Sequence, residues 1–244
     1  MTQLVLSLFP GIGLLDMAFE EAGFVVVRGP DLLWGGDVRN FHPPAGKFDG
    51  VIGGPPCKAF SPLVNINIAQ GRAPAENLIP EYERCVALAH PRWFLMENVS
   101  NAPRPAVEGY VVYDVLLNTR WLGEPQNRLR RFSFGSRNGV RLSVPTEALE
   151  PADFEPAVTS TSGGRRAVLV RDANGRSRGK QGDADHHRLR GRSIERMCGL
   201  QGLPTDFLKD APLTLAGKRT AIGNGVPLPM GRAIAQAVKR AVSP

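Results

Sequence analysis

Between Phe48 and Ser61 the chain reads Phe-Asp-Gly-Val-Ile-Gly-Gly-Pro-Pro-Cys-Lys-Ala-Phe-Ser, a buried strand that has to end abruptly. Val51-Ile52 is its apolar part. Gly53-Gly54-Pro55-Pro56 stops it, because glycine admits unusual backbone angles while proline fixes φ and donates no hydrogen bond. Cys57 follows at once. A thiol on a stiff loop just past the carboxyl end of a buried strand sits where open α/β sheets place their ligands. Free cysteines most often pack as small hydrophobes. Two prolines before Cys57 and a lysine after it are poor company for a core residue, however, and a nearby cation favours the thiolate. Cys57 is therefore read as a candidate nucleophile.

A chain of 244 residues with 42% hydrophobic content accommodates one large α/β domain and a small appendage. The formal net charge of +7 points to a polyanionic partner. That excess is concentrated between Arg165 and Arg196, where Lys and Arg far outnumber Asp and Glu. The three cysteines, Cys57, Cys85 and Cys198, are odd in number and lack metal-ligand spacing, so neither a disulfide framework nor a metal site is expected. No apolar run approaches the roughly 18 residues of a membrane span, and the start carries no charged leader. The expectation is a cytoplasmic protein without a membrane partner.

Read in order, Leu4 to Phe9 is a strand ended by Pro10-Gly11-Ile12-Gly13, and Leu14, Leu15, Ala18, Phe19 and Ala22 follow at helical spacing. Such a turn points helix N-terminal amides at a negative group, although a glycine turn between strand and helix is as often mere geometry. Phe24 to Val27 is a second strand, with Asp31 just past its end, about 20 residues after the turn, where an acid can bind the hydroxyls of a ribose. Asp37 is either a partner for an adenine amine or a turn-stabilising aspartate. Pro62 to Pro80 reads as a polar active-site loop and Glu81 to Ala89 as a helix. Trp93 to Met96 is a buried strand delivering Glu97-Asn98-Val99, and a carboxylate there meets the desolvation that suits a proton donor.

Val111 to Leu117 and Phe132 to Phe134 read as strands around Gln126-Asn127-Arg128-Leu129-Arg130-Arg131, which would put Arg128 and Arg130 on one face. From about Leu142 the chain turns rich in Arg, Gly, Ser, Asp and Pro, with only Ala167 to Val170 resembling a strand. Three segments are expected: a catalytic and cofactor-binding domain over 1–141, a small target-recognition region over 142–190, and a return over 191–244. The last holds a helix over Arg192–Leu200, a turn over Ile222–Pro227 and a helix over Met230–Val242.

The ordered set resembles the cytosine C5 DNA methyltransferases over most of the chain. Phe9-Pro10-Gly11-Ile12-Gly13 is similar to the family's cofactor loop, Pro55-Pro56-Cys57 with Phe60-Ser61 to its nucleophile loop, and Glu97-Asn98-Val99 to its catalytic Glu-Asn-Val. Gln126 to Arg130 resembles its Gln-x-Arg-x-Arg motif, Arg192 to Arg196 with Leu200 to Pro204 the helix supporting the recognition region, and Gly223 to Pro227 its closing cofactor motif. The resemblance implies a Rossmann-like sheet of the S-adenosylmethionine-dependent kind with a small loop-rich recognition region. It further implies attack of Cys57 on C6 of a flipped cytosine, Glu97 at N3, Arg128 steadying the base, Arg130 positioning Glu97 or the nucleophile loop, and Asn98 fixing that loop. Phe9, Gly11, Ile12, Gly13, Asp31, Asp37, Val38, Pro55, Leu78, Asn224 and Val226 would hold S-adenosylmethionine, and the product would be S-adenosylhomocysteine. Pro56, Lys58, Ser61, Arg165 and Arg166 would meet double-stranded DNA, with a cognate restriction endonuclease as a candidate partner and a monomer as the default.

Ser7 stands where the family usually has an acid, Lys58 replaces a common glutamine, and the interval from Val99 to Gln126 is short. A recognition region of this size implies a short or degenerate target sequence. Two other classes remain: an RNA cytosine methyltransferase acting on transfer RNA, and a catalytically silent DNA-binding homologue, against which the intact Cys57, Glu97, Arg128 and Arg130 argue. A cysteine hydrolase fails because none of His42, His90, His186 and His187 lies in a motif that would make it a base for Cys57.

Overall fold

The structure is a computed structural model describing residues 2–60, 75–146, 155–159 and 192–243. It forms two compact units, Met1–Ala157 with Gly225–Pro244, and Val158–Asn224.

The first unit contains β1 (Leu4–Leu8), α1 (Leu14–Glu21), β2 (Val25–Arg28), β3 (Gly50–Gly53), α2 (Ile79–Ala89), β4 (Trp93–Asn98), β5 (Val111–Asn118), β6 (Gln126–Asn127), β7 (Leu129–Ser136) and β8 (Glu155–Pro156). Six strands form one sheet in the order β2-β1-β3-β4-β7-β5, and β6 pairs with β8 separately. β2, β1, β3 and β4 are parallel, while β7 runs antiparallel to both β4 and β5. β3 and β4 are buried along their whole length, the pattern of parallel strands covered on both faces. From β1 the chain steps outward to β2 and then back across β1 to β3, so the strand order reverses between β1 and β3. Ligands of open α/β sheets bind outside the carboxyl ends of strands at such a switch point.

One face packs against α2, whose Tyr82, Cys85, Val86 and Ala89 join Leu6, Leu8, Val51, Phe94 and Met96 in a buried cluster. The Tyr82 hydroxyl donates to the Leu95 carbonyl at 2.9 Å, which satisfies a polar group in a fully apolar setting. On the other face Phe19 and Phe24 meet Trp93, and Trp93 meets Phe134. Gly50 opposite Trp93 and Gly135 opposite Phe94 make room for these rings, since a Cβ at either would lie 2.2 Å from one. The amphipathic helix α5 (Leu228–Val242) packs on α1, so closely that a Cβ on Gly231 would sit 2.9 Å from that of Ala18. The Arg232 to Glu21 ion pair at 2.6 Å fastens the same contact.

The second unit contains α3 (Ile194–Leu200) and α4 (Leu215–Asn224). Ser193 caps α3 by accepting from the Arg196 amide, and the buried Gln201 side chain donates to the Ile222 carbonyl at 2.7 Å.

Three local expectations change. Ile222 to Asn224, read as part of a turn, are the last residues of α4. That helix is invisible in the pattern because Leu-Ala-Gly-Lys-Arg-Thr-Ala-Ile-Gly-Asn holds two glycines and buries only Ala221, Ile222 and Gly223; its start is fixed by the Thr214 hydroxyl, which accepts from the Gly217 amide. Pro80, read as the end of a loop, lies in the first turn of α2, where its missing N–H costs nothing. Arg128 precedes β7 instead of sharing a strand with Arg130. Residues 61–74, the expected strand at Ala167 to Val170 and most of the expected recognition region lie outside the described residues.

Candidate active site

The β1 to α1 turn carries three left-handed residues, Phe9 (φ 56°), Gly11 (φ 55°) and Gly13 (φ 81°). Phe9 is thus just outside β1, in a conformation that costs a non-glycine residue free energy and persists only where surroundings hold it. Gly11 opens on free space, since no atom lies within 4 Å of where its Cβ would be. Asp31 spans two roles: its Oδ1 accepts from the Leu33 amide at 2.7 Å, and its Oδ2 accepts from the Gly11 amide at 2.8 Å. Asp37 caps the short turn Val38–Asn40, and both its oxygens are engaged by Arg39, with Nη2 at 2.6 Å. That pair holds the Asp37 carboxyl below its ordinary range. Val38 and Pro55 are buried and Leu78 flanks the start of α2.

Next to Ser7, whose side chain is no acid, stands a carboxylate from elsewhere. Ser7 Oγ donates to Asp16 Oδ1 at 2.5 Å, and Arg28 Nε lies 3.0 Å from Asp16 Oδ2. Burial raises the Asp16 pKa, against the lowering effects of Ser7 and Arg28. Asp16 was not singled out in the sequence; its signal was a charged residue beside Leu14, Leu15, Ala18 and Phe19, within the apolar stripe of α1.

The thiol-bearing loop leaves β3 one strand away. Cys57 opens a short 3-10 turn, Cys57–Phe60, and is partly exposed, with Pro56 and Lys58 exposed on either side. Asn98, at the end of β4, is buried and donates through Nδ2 to the Pro55 carbonyl at 3.1 Å, while its Oδ1 accepts from the Val99 amide at 2.8 Å. Asn101 holds the far side, donating to the Phe60 carbonyl at 2.7 Å. The loop is therefore tied at both ends, to the last residue of β4 and to the segment that follows it. Asn101 also escaped the sequence reading, because a polar residue in a loop gives no local signal of what it reaches.

Glu97 lies at the end of β4 and is buried, with Oε1 2.9 Å from Arg130 Nε. Gly54 faces it: a Cβ there would lie 3.2 Å from Glu97 Oε2. Because β7 is antiparallel to β4, the beginning of β7 lies beside the end of β4, which brings Arg130 to the acid. Arg128 is 2% exposed and donates to the Gly225 carbonyl at 3.1 Å. Burial, and then the neighbouring Arg130 cation, pull its pKa down to about 9, opposed by Glu97 and Cys57; it stays charged at neutral pH. Arg131, missed in the sequence as a third arginine of a run, points the other way and donates to the Ser100, Ala102 and Pro103 carbonyls.

Cys57, Glu97, Asn98, Arg128 and Arg130 thus gather at one end of the sheet, in the same unit as the Phe9 to Gly13 turn. Val226 is buried in that unit, whereas Asn224 is the last residue of the other. Ser61, Arg165 and Arg166 lie outside the described residues. Among the described residues, no group of three or more His, Cys, Asp or Glu could hold a metal, and no helix is long and apolar enough to cross a membrane.

Comparison with known proteins adds to this geometry. The family model for C-5 cytosine-specific DNA methylases matches residues 35–163, just over half of the chain. The Type II methyltransferase M.HgiDI of Herpetosiphon aurantiacus is 30% identical over 165 residues, covering 55% of this chain and 52% of that protein. M.FnuDI of Fusobacterium nucleatum, also a Type II methyltransferase, is 33% identical over 171 residues, covering 57% of this chain and 48% of that one. The chain spans about half the length of these relatives. A solved structure, the methyltransferase EhMeth of Entamoeba histolytica, superposes with a TM-score of 0.65 over 100% of both chains at 12% identity, a likeness of fold.

Proposed function

This chain belongs to the C-5 cytosine-specific DNA methylase family, and we propose that it transfers a methyl group from S-adenosylmethionine to C5 of cytosine in double-stranded DNA. The observation that carries the reading is the grouping of a partly exposed thiol, a buried carboxylate paired at 2.9 Å with Arg130, and the buried cation Arg128 at the switch-point end of one sheet.

The Cys57 thiolate attacks C6, and the electron pair of the C5–C6 double bond moves to C5 as Glu97 protonates or hydrogen-bonds N3. S-adenosylmethionine, when bound, supplies an electrophilic methyl group to C5 and leaves as S-adenosylhomocysteine. The C5 proton then passes to water, the C5–C6 double bond re-forms as the Cys57 thiolate leaves C6, and the N3 proton returns to Glu97, which restores the ring as 5-methylcytosine. Arg128 supplies fixed positive charge where negative charge develops on the base, and Arg130 holds the Glu97 carboxylate in one orientation. Asn98 and Asn101 keep the loop from wandering, which preserves the attack distance. The residues suit the donor: the Phe9 ring, the open face at Gly11 and the Asp31 carboxylate meet an adenosyl group carrying an amino-acid tail, and Val38, Pro55, Leu78 and Val226 of the same unit complete the set. A base inside a duplex is out of reach of Cys57, so the substrate cytosine is flipped. Residues 142–190 act as the recognition region, with Lys58, Arg165 and Arg166 on the DNA. Likeness to Type II methyltransferases supports a cognate restriction endonuclease as partner.

The test is to incubate the full chain with S-adenosylmethionine and unmethylated duplex DNA, then digest to nucleosides and weigh them. 5-Methylcytosine that disappears in Cys57→Ser is the expected result. Its absence from duplex DNA and appearance in transfer RNA would overturn the substrate; its absence from both would overturn the enzyme.

A further inference from the structure

We propose that Trp34 is a positioning residue of the cofactor turn, a latch whose indole N–H holds Gly11 in its left-handed shape. The inference deepens the methyltransferase reading and rests on it. Trp34 is 58% exposed, so the ring is not retained for burial. Its Nε1 nevertheless donates to the Gly11 carbonyl at 2.7 Å, across 23 residues of sequence. The Gly11 amide is held by Asp31, the residue that caps the short turn Leu32–Trp34, through Oδ2 at 2.8 Å. Both polar groups of Gly11 are thus fixed by the segment that follows β2.

This matters because the Phe9 to Gly13 turn has one hydrogen bond of its own, from the Gly13 amide to the Pro10 carbonyl at 2.8 Å, and that bond leaves both polar groups of Gly11 to partners outside the turn. Three of its five residues are left-handed, one of them a phenylalanine. Such a conformation persists where neighbours over-determine it. The Trp34 segment is braced in turn: Asp31 accepts from Leu33, and the Gly36 amide donates to the Asp31 carbonyl at 3.0 Å. A turn fixed before binding saves the ordering cost at the moment of binding. Trp34 therefore contributes to donor affinity through one hydrogen bond to the protein, and the size of its ring is secondary.

Two measurements on the full chain decide this. In the first, S-adenosylhomocysteine is titrated calorimetrically into wild type, Trp34→Phe and Trp34→Leu. The latch predicts a Kd weakened about fivefold, the size of one net hydrogen bond, equally in both variants, with kcat at saturating donor within twofold of wild type. Wild-type affinity in Trp34→Phe with a loss confined to Trp34→Leu overturns the latch in favour of ring contact, and a fallen kcat with unchanged Kd overturns it in favour of general damage. In the second, hydrogen exchange of the Trp34 indole N–H is followed by NMR in the free protein. Protection well beyond that of an open indole is expected, and free exchange overturns the latch. If wild type binds no S-adenosylhomocysteine, the donor assignment fails, and the indole measurement still judges the latch by itself.

Discussion

Removing the Asn98 side chain tests the link between the sheet and the nucleophile loop. Asn98→Ala deletes two hydrogen bonds at a site 1% exposed, one to the Pro55 carbonyl at 3.1 Å and one from the Val99 amide at 2.8 Å. It leaves a buried acceptor and a part-buried donor without those partners. Each unmet group of this kind costs about 1–3 kcal/mol, so the expected loss of stability is about 3 kcal/mol, and the midpoint of thermal unfolding falls by about 6–12 °C for a chain of this size. The activity loss is separate in origin. With Pro55 released, the segment carrying Cys57 is anchored on that side by sequence alone, and a displacement of roughly 1 Å in a reacting group costs on the order of a hundredfold in rate. Urea unfolding and single-turnover methyl transfer, run on the same preparation well below the unfolding midpoint, separate the two effects. A variant that loses stability as stated but keeps the wild-type single-turnover rate refutes the claim that Asn98 positions the loop. A variant with unchanged stability refutes the hydrogen-bond account itself.

Gly54→Ala places a methyl group 3.2 Å from Glu97 Oε2, so the carboxylate must shift by a few tenths of an ångström; kcat is expected to fall roughly tenfold with S-adenosylhomocysteine affinity unchanged, and an unaltered kcat would show that Glu97 tolerates the displacement. For Asp16 the folded pKa is raised above the unfolded one, so the stability it contributes is present below the ordinary carboxylate range and is lost as pH rises through the raised value. Asp16→Asn should lack that decline, measured as the difference in urea stability between mildly acidic and neutral pH, and an identical slope in the two proteins counts against it.

How far the sequence carried the reading depended on whether the information was local. Val51-Ile52 followed by two glycines and two prolines forces a strand to stop, so the loop bearing Cys57 was legible from 14 residues. The apolar spacing of α1 and α5 and the run before Glu97 were equally plain, since burial on one or both faces writes itself into periodicity. Contacts between distant segments left no such trace. Asn101 reaching Phe60, Asp16 reaching Ser7 and Trp34 reaching Gly11 are each a polar side chain whose partner lies 9 to 41 residues away. Asp31 illustrates the same limit from the other side. Its spacing from the glycine turn was visible, but its hold on the Gly11 amide needed the strand pairing of β1 with β2. The helix α4, with two glycines and little apolar surface, is specified by its Thr214 cap and by tertiary context more than by propensity.

The packing of α5 on α1 bears on when the protein can become active during synthesis. α1 follows directly from the turn that would receive the methyl donor, yet the residue pairing with its Glu21 is Arg232, made 211 positions later. Gln3 at the foot of β1 likewise donates to the Val242 carbonyl, 239 positions away. At about 5–20 residues per second, a ribosome needs on the order of ten to forty seconds to cross that interval. Throughout it, the face of α1 around Ala18 that packs on α5 lacks its final cover. Contacts of such long range slow folding because chain closure must precede the gain. The nascent chain consequently depends on what shields that face in the meantime, and slowing translation downstream of Ser136 lengthens its exposure without altering a single residue of the finished protein.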